Sequence, residues 1–269
     1  MRIKRIGYLG PPGTFTHEAA RRFFGSEKGL IPFKNIQEVL CQYRNRKVDG
    51  CVIAIESSLA GTVTENLNEL RNLEQYVVIG EVLLPTHHYL MARQKTKLEE
   101  IQIVLGHPKA LEECQAWLSQ HLPKIARKPL PSSAGAAREV SLDHSLKLAA
   151  VAPKAAAILY GLTILASDIE DGPNNVTRFW VLGRTISPPT GNDKTTLYTQ
   201  GELHPILHGL SASMIDILSI YERPTGEEID RHSYFIHVKG HGLNPPLSAF
   251  LNQFPKVKWI GSYPAGTLN

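Results

Sequence analysis

The chain has 269 residues, 42% of them apolar and 20% charged, with a formal net charge of +4. That length supports one large domain or two to three smaller ones, each with a core of its own, and the composition is that of an ordinary globular protein. Basic residues are scattered, and the short cluster Arg44, Arg46, Lys47 reads as the solvated end of a helix, so nucleic acid is excluded as a partner.

Along the chain, short apolar runs alternate with helical patterns, as in an α/β unit on a largely parallel sheet. Strands are expected at 5–9, 51–55 and 77–84, the last stopped by Pro85, and helices at 16–24, 36–45 and 64–73. A second α/β stretch follows, with strand 101–105, a helix from Pro108 through 120, and an Ala-rich helix toward 140 capped by Ser132-Ser133. Strand 149–151, helix 154–160 and strand 164–165 continue it, and 179–182 closes the unit. Pro188-Pro189-Thr190-Gly191-Asn192 is the clearest linker. Beyond it come strand 195–199, helix 205–214, strands 215–221 and 234–238, helix 247–253 and strand 257–263. That β-α-β-β-α-β order is the ferredoxin-like split motif, and it places a boundary near residue 190.

Cys41, Cys51 and Cys114 are odd in number and widely spaced, which argues for a reducing compartment rather than a disulfide framework. No Cys-x-x-Cys or His-Glu-x-x-His occurs, so a catalytic metal has no support. His87-His88 reads as part of a strand, with one ring packed and the other solvated. The opening MRIKRIGYLG reads as a first strand, not a signal peptide, and the apolar stretch 148–166 is broken by Pro153, Lys154 and Gly161. The expectation is a soluble, cytoplasmic protein with no membrane partner.

Three kinds of loop offer chemistry. Gly10-Pro11-Pro12-Gly13-Thr14-Phe15-Thr16 joins the first strand to the first helix, where glycines admit close approach and the helix N-terminus favours an anion. Its glycine spacing is not the dinucleotide fingerprint, so a nicotinamide or flavin cofactor is rejected. Glu56-Ser57-Ser58-Leu59-Ala60-Gly61-Thr62-Val63 repeats the arrangement after the third strand, and Glu56 there should meet solvent, a ligand or a backbone N–H. His107-Pro108 and Ser132-Ser133-Ala134-Gly135 start helices of the second unit. A second unit inserted between strands of the first makes a two-lobed clam with a ligand cleft between the lobes. Asn175-Val176-Thr177-Arg178-Phe179 then enters a sheet near the hinge; Arg178 is suited to grip a carboxylate with two parallel bonds, and Thr177 to lend a proton beside it. The residues alone point to a small carboxylic acid, no metal, no cofactor and a hydroxyl as the best acid.

GYLGPPGTFTHEAA at 7–20, IAIESSLAGTV at 53–63, SSAGAAREV at 132–140, APKAAAILYGL at 152–162 and NVTRFWVLGR at 175–184 form an ordered, multi-site pattern. With it the chain resembles the monofunctional prephenate dehydratases, and IYERPTG at 220–226, YFIHVKGH at 234–241 and IGSYP at 260–264 resemble an ACT regulatory domain. The resemblance implies a periplasmic-binding-protein-like catalytic unit over 1–188, with lobe one about 1–82 and 172–188 and lobe two about 83–171, then an ACT module over 189–269. It carries no N-terminal helical extension, so no fused chorismate mutase is expected. The implied reaction is prephenate to phenylpyruvate, water and carbon dioxide in phenylalanine biosynthesis, in a homodimer or homotetramer joined partly through the ACT modules. Thr177 matches the family's catalytic threonine; Arg178 is assigned to carboxylate binding, Phe179 to the shape of the pocket wall, and Thr14, Glu56, Ser57, Ser58, Gly61 and Thr62 to the substrate-binding set.

Departures from the family pattern fall at Ser57, where an asparagine is usual, and at Lys109 and Glu113, where glutamines are common. They could shift preference toward arogenate. In the regulatory half, Leu207 and Gly209 stand in a shortened Gly-Ala-Leu-type segment, and Tyr221-Glu222-Arg223-Pro224 has Tyr where Glu is usual. These six residues are the expected set for phenylalanine or another amino-acid effector, with phenylalanine control weakened or the effector different. A non-aromatising prephenate decarboxylase and a non-catalytic amino-acid or keto-acid sensor are the rival readings, and retention of Thr177 counts against both.

Overall fold

The computed structural model describes residues 4–73, 75–172 and 174–268, so Pro173, two residues ahead of the Asn-Val-Thr-Arg-Phe run in sequence, lies outside the described residues. The chain runs β1 (Ile6–Leu9), α1 (Phe15–Phe24), β2 (Leu30–Phe33), α2 (Ile36–Arg44), β3 (Gly50–Ser57), β4 (Gly61–Thr62), α3 (Thr64–Arg71) and β5 (Val77–Pro85). It crosses to β6 (Tyr89–Ala92), β7 (Ile103–Gly106), α4 (Pro108–Glu113), α5 (Gln115–His121), β8 (Ala126–Pro129), α6 (Ser133–Leu142), β9 (Leu148–Ala152), α7 (Lys154–Tyr160) and β10 (Thr163–Ala166). It returns as β11 (Val176–Gly183). The last stretch is β12 (Asp193–Gln200), α8 (His204–Ala212), β13 (Ile217–Pro224), β14 (His232–Lys239), α9 (Leu247–Gln253) and β15 (Lys258–Pro264).

The first sheet has the order β2-β1-β3-β11-β5, with β4 paired to β3. Strands β1, β2 and β3 are parallel, but β11 is antiparallel to both β3 and β5, so the sheet is mixed where a largely parallel one was expected. Connectivity requires this: the chain leaves along β5, makes a whole lobe, and re-enters at the same end, where Val176 pairs with Pro85. The second sheet, β10-β6-β9-β7-β8, is also mixed. Helix α6 buries Ala134, Ala136, Ala137 and Val140 against it, small side chains that bring helix and sheet close.

The third sheet, β13-β14-β12-β15, is antiparallel throughout and carries α8 and α9, the expected split motif. It is docked firmly on the first lobe. Tyr221, Phe235, Ile260 and Tyr263 share one core with Ile53, Val78, Trp180 and Leu182. Strand β15 lies so close to β5 that a side-chain carbon at Gly261 would overlap the Val78 carbonyl. Among the described residues no helix is long and apolar enough to cross a membrane.

Strands β2, β4, β6 and β8 were not expected from the sequence. β8 reads Ala-Arg-Lys-Pro and is exposed at every position, so it has no apolar alternation to detect. The expected helix through 120 is two short helices meeting at Cys114.

Candidate active site

Two chain segments cross between the lobes, and they are bonded to each other. Thr86 N–H donates to Asn175 O (2.8 Å) and Ile169 N–H to His88 O (3.0 Å), giving a short two-stranded hinge. The lobes meet again where the loop before α1 reaches α7. Gly13 sits at φ +90°, a backbone region that disfavours side chains, and packs on Ala156; nearby the Tyr160 hydroxyl donates to Pro12 O (3.1 Å). Between these contacts lies a cleft of about 900 Å³.

Each wall of the cleft presents a helix N-terminus. From lobe one come Thr14, Phe15 and Thr16 at the start of α1, and from lobe two Ser132, Ser133 and Gly135 at the start of α6. Both ends are capped: Thr14 Oγ1 accepts from His17 N–H (3.2 Å) and donates to Leu9 O (3.1 Å), and Ser132 Oγ accepts from Gly135 N–H (3.0 Å). The partial positive charge of each end faces the cleft. Lys34, Lys109 and Arg138, all exposed, add cations around it. His107 also lines it, and burial holds its imidazole below its ordinary value, so it is neutral at neutral pH.

Thr177 and Phe179 line this cleft, while the intervening Arg178 does not. Alternation along β11 turns the guanidinium to the other face of the sheet. There Nη1 donates to Glu81 Oε2 (2.5 Å) and Nε to Glu56 Oε2 (3.4 Å). Glu81 is completely buried and its other oxygen takes Lys194 Nζ (2.6 Å) and Gly266 N–H (2.8 Å) from the C-terminal module. Burial alone would lower the Arg178 pKa, but the adjacent Glu81 charge holds it above the ordinary value. The structure does not bring Arg178 into the cleft for the expected carboxylate grip: its Nη1 and Nε bond Glu81 and Glu56, and the period of two separates it from Thr177.

The second expected loop is likewise structural. Glu56 accepts from the Tyr221 hydroxyl (2.8 Å) and from Arg178, away from the cleft. Ser57 Oγ donates to Asn175 Oδ1 (3.0 Å) and accepts from the Leu59 and Ala60 N–H groups, while Ser58 Oγ donates to Asn174 O (2.7 Å) and accepts from Val176 N–H (2.9 Å). Gly61 (φ +70°) and Thr62 form β4 and do not line the cleft. Ser57 and Ser58 thus fasten the β3–β4 hairpin to the 174–176 segment, and residues 56–62 do not line the cleft. Thr14, Thr177 and Phe179 are thus the expected substrate-site residues that meet in one place.

The cleft also holds Thr86, which the sequence did not single out. Thr86 Oγ1 is 2.8 Å from Thr177 Oγ1. His88 lies beneath, with Nε2 2.9 Å from Glu113 Oε2, which also accepts from Asn175 Nδ2 (3.0 Å). As expected, one of the paired histidines is packed and the other more open, with side-chain exposures of 3% at His88 and 42% at His87, but both stand in the hinge and not in a strand. His87 Nδ1, Asp168 and Glu170 oxygens lie within 4.8 Å of one another. Glu170 also accepts from His88 N–H (2.9 Å), and these bonds keep its carboxyl below the usual range against the opposing effect of burial. Glu170 thereby ties to both His87 and His88 at the hinge.

The six expected effector residues are divided between α8, which carries Leu207 and Gly209, and β13, which carries Tyr221 to Pro224. Leu207 lies on α8, and Gly209 is packed under Phe250 and Phe254. Tyr221 is buried toward lobe one, Glu222 pairs with His232 (3.1 Å), and Pro224 O accepts from Arg71 of α3. Arg223 Nε is buried without a partner among the described residues. Strand β13 alternates, so its four positions divide between two faces.

A family model described as prephenate dehydratase matches residues 6–187. The bifunctional chorismate mutase/prephenate dehydratase of Stutzerimonas stutzeri is 36% identical over 98% of this chain and 74% of its own length. The prephenate dehydratase of Mycolicibacterium vanbaalenii is 30% identical over 97% of this chain and 91% of its own. Among solved structures, prephenate dehydratase from Arthrobacter aurescens in complex with L-Phe superposes with a TM-score of 0.88 at 30% identity, covering 97% of this chain and 90% of that one.

Proposed function

This chain belongs to the prephenate dehydratase family, and on that premise we propose that it converts prephenate to phenylpyruvate, water and carbon dioxide in the interlobe cleft. One observation carries the assignment to this site: the Thr177 hydroxyl faces a cleft walled by two helix N-termini. Prephenate carries two carboxylates. In this reading one is held at the start of α1 and the other at the start of α6, with Lys34, Lys109 and Arg138 supplying long-range attraction. Phe179 forms the apolar wall against the ring. Thr177 protonates the departing ring hydroxyl while the ring carboxylate leaves as carbon dioxide. Aromatisation drives the step, so positioning and one weak acid suffice.

Residues 1–188 are assigned as the catalytic unit, with lobe one about 1–82 and 172–188 and lobe two about 83–171, and residues 189–269 as an ACT-type regulatory module. Phenylalanine is the proposed effector, since the Arthrobacter relative is described in complex with it. Met214, Leu218 and Ile220 are exposed in and just ahead of edge strand β13, which supports assembly into a homodimer or homotetramer through this module. Three free cysteines support a reducing, cytoplasmic setting.

The test is product identity. Purified protein incubated with prephenate should form phenylpyruvate and carbon dioxide in equal amounts; carbon dioxide without an aromatic product would replace the assignment with decarboxylation, and no turnover would leave a sensor.

A further inference from the structure

Building on the reading of Thr177 as proton donor, we propose that Thr86 is a positioning residue that sets the direction of the Thr177 hydroxyl. Thr86 is 4% exposed and stands at the first step of the hinge. Its Oγ1 lies 2.8 Å from Thr177 Oγ1 and 3.3 Å from Leu84 O. The pair is held by backbone: Thr86 N–H donates to Asn175 O, and Leu84 is registered opposite Thr177. A chance rotamer contact would have no such frame.

Thr86 has one hydroxyl proton and two acceptors for it. Thr177 is the nearer acceptor, and a bond given that way leaves the Thr177 proton directed into the cleft. Given the other way, the Thr177 proton would be spent on Thr86, and the cleft would meet only lone pairs. The first arrangement is the productive one. In the reaction the bond from ring to carboxylate breaks, carbon dioxide leaves, and the electron pair enters the ring as the ring C–O bond breaks. The departing oxygen takes the Thr177 proton and leaves as water. Thr177 oxygen is left negative and regains a proton from solvent. Thr86 donates to that oxygen throughout, a bond that strengthens as charge develops.

The interaction therefore acts on the transition state and not on substrate binding. Thr86→Val keeps the shape and removes the hydroxyl; Thr86→Ser keeps the hydroxyl. For prephenate turnover, kcat of Thr86→Val should fall about 10- to 100-fold with KM within about twofold, while Thr86→Ser stays within about threefold of wild type. Adding Thr86→Val to Thr177→Ala should slow that variant no further, since the donor then has nothing to orient. Thr86→Ala is the second hydroxyl-free variant should valine not fold, with the same loss expected. Wild-type protein that forms no phenylpyruvate removes the dehydratase reading and this inference with it. Wild-type turnover with an unchanged kcat in both hydroxyl-free variants, a raised KM at constant kcat, or a serine variant as slow as valine, overturns this inference alone.

Discussion

Arg178 and Thr177 are neighbours in sequence and work on opposite faces of β11. Thr177 faces the cleft, whereas Arg178 completes a buried cluster with Glu81, Glu56, Lys194 and Tyr221. Their substitutions should separate accordingly. Arg178→Met leaves Glu81 with one cation fewer in a fully buried position, and removing one partner of a buried pair costs about 3 kcal/mol or more. Its thermal midpoint should fall clearly, while prephenate affinity stays within about threefold. Arg138→Gln and Lys109→Ala remove exposed cations from the cleft margin and should do the reverse, raising KM a few-fold at low salt with no loss of stability. Calorimetry of unfolding and of prephenate binding on the same three variants checks both halves. A collapse of binding in Arg178→Met with an unchanged midpoint would restore the carboxylate grip.

Among the elements, α1 ties sequence to site most directly. Thr14 ends the loop from β1, caps the helix, and by that cap fixes the N-terminus that faces the cleft. Thr14→Ala should cost about 1 kcal/mol in urea unfolding, and a value near zero would show that the helix start is fixed by packing alone. This element was legible because Gly-Thr-Phe-Thr before an amphipathic run is a local signal. The α6 start was legible for the same reason, through Ser132-Ser133. Arg178 misled because the tripeptide gives adjacency but not which face each side chain takes. The Glu56–Thr62 loop misled because its hydroxyls satisfy backbone groups of 174–176, more than 110 residues away in sequence. Thr86 and the His88–Glu113–Asn175 bonds were hidden for the reverse reason, since nothing near Pro85 announces a partner beyond the second lobe. Strand β2 carries a proline and spans four residues, too short for alternation to stand out, and Lys34 directly follows it.

In the whole molecule, the C-terminal sheet is joined to the catalytic sheet by a shared core and a charged cluster that reaches Arg178 of β11. His237 lies in that seam, in contact with Trp180 and Tyr221. Burial, with Arg178 and Lys194 adding to it, lowers its pKa well below 6.5. The folded state thus keeps it neutral, and the unfolded state takes up a proton as pH falls below about 6.5. Its contribution is fully present above that pH and is lost progressively below it. The thermal midpoint should drop from pH 7 to pH 5 by more in wild type than in His237→Phe; equal drops would place the acid sensitivity elsewhere. Coupling of this seam to catalysis matters only if the cleft performs the chemistry assigned to it. The direct measurement is prephenate turnover and prephenate binding by Thr177→Ala beside wild type. The account predicts kcat lower by about 100-fold or more, the range of a lost general acid, with the dissociation constant nearly unchanged. Turnover equal to wild type would contradict it.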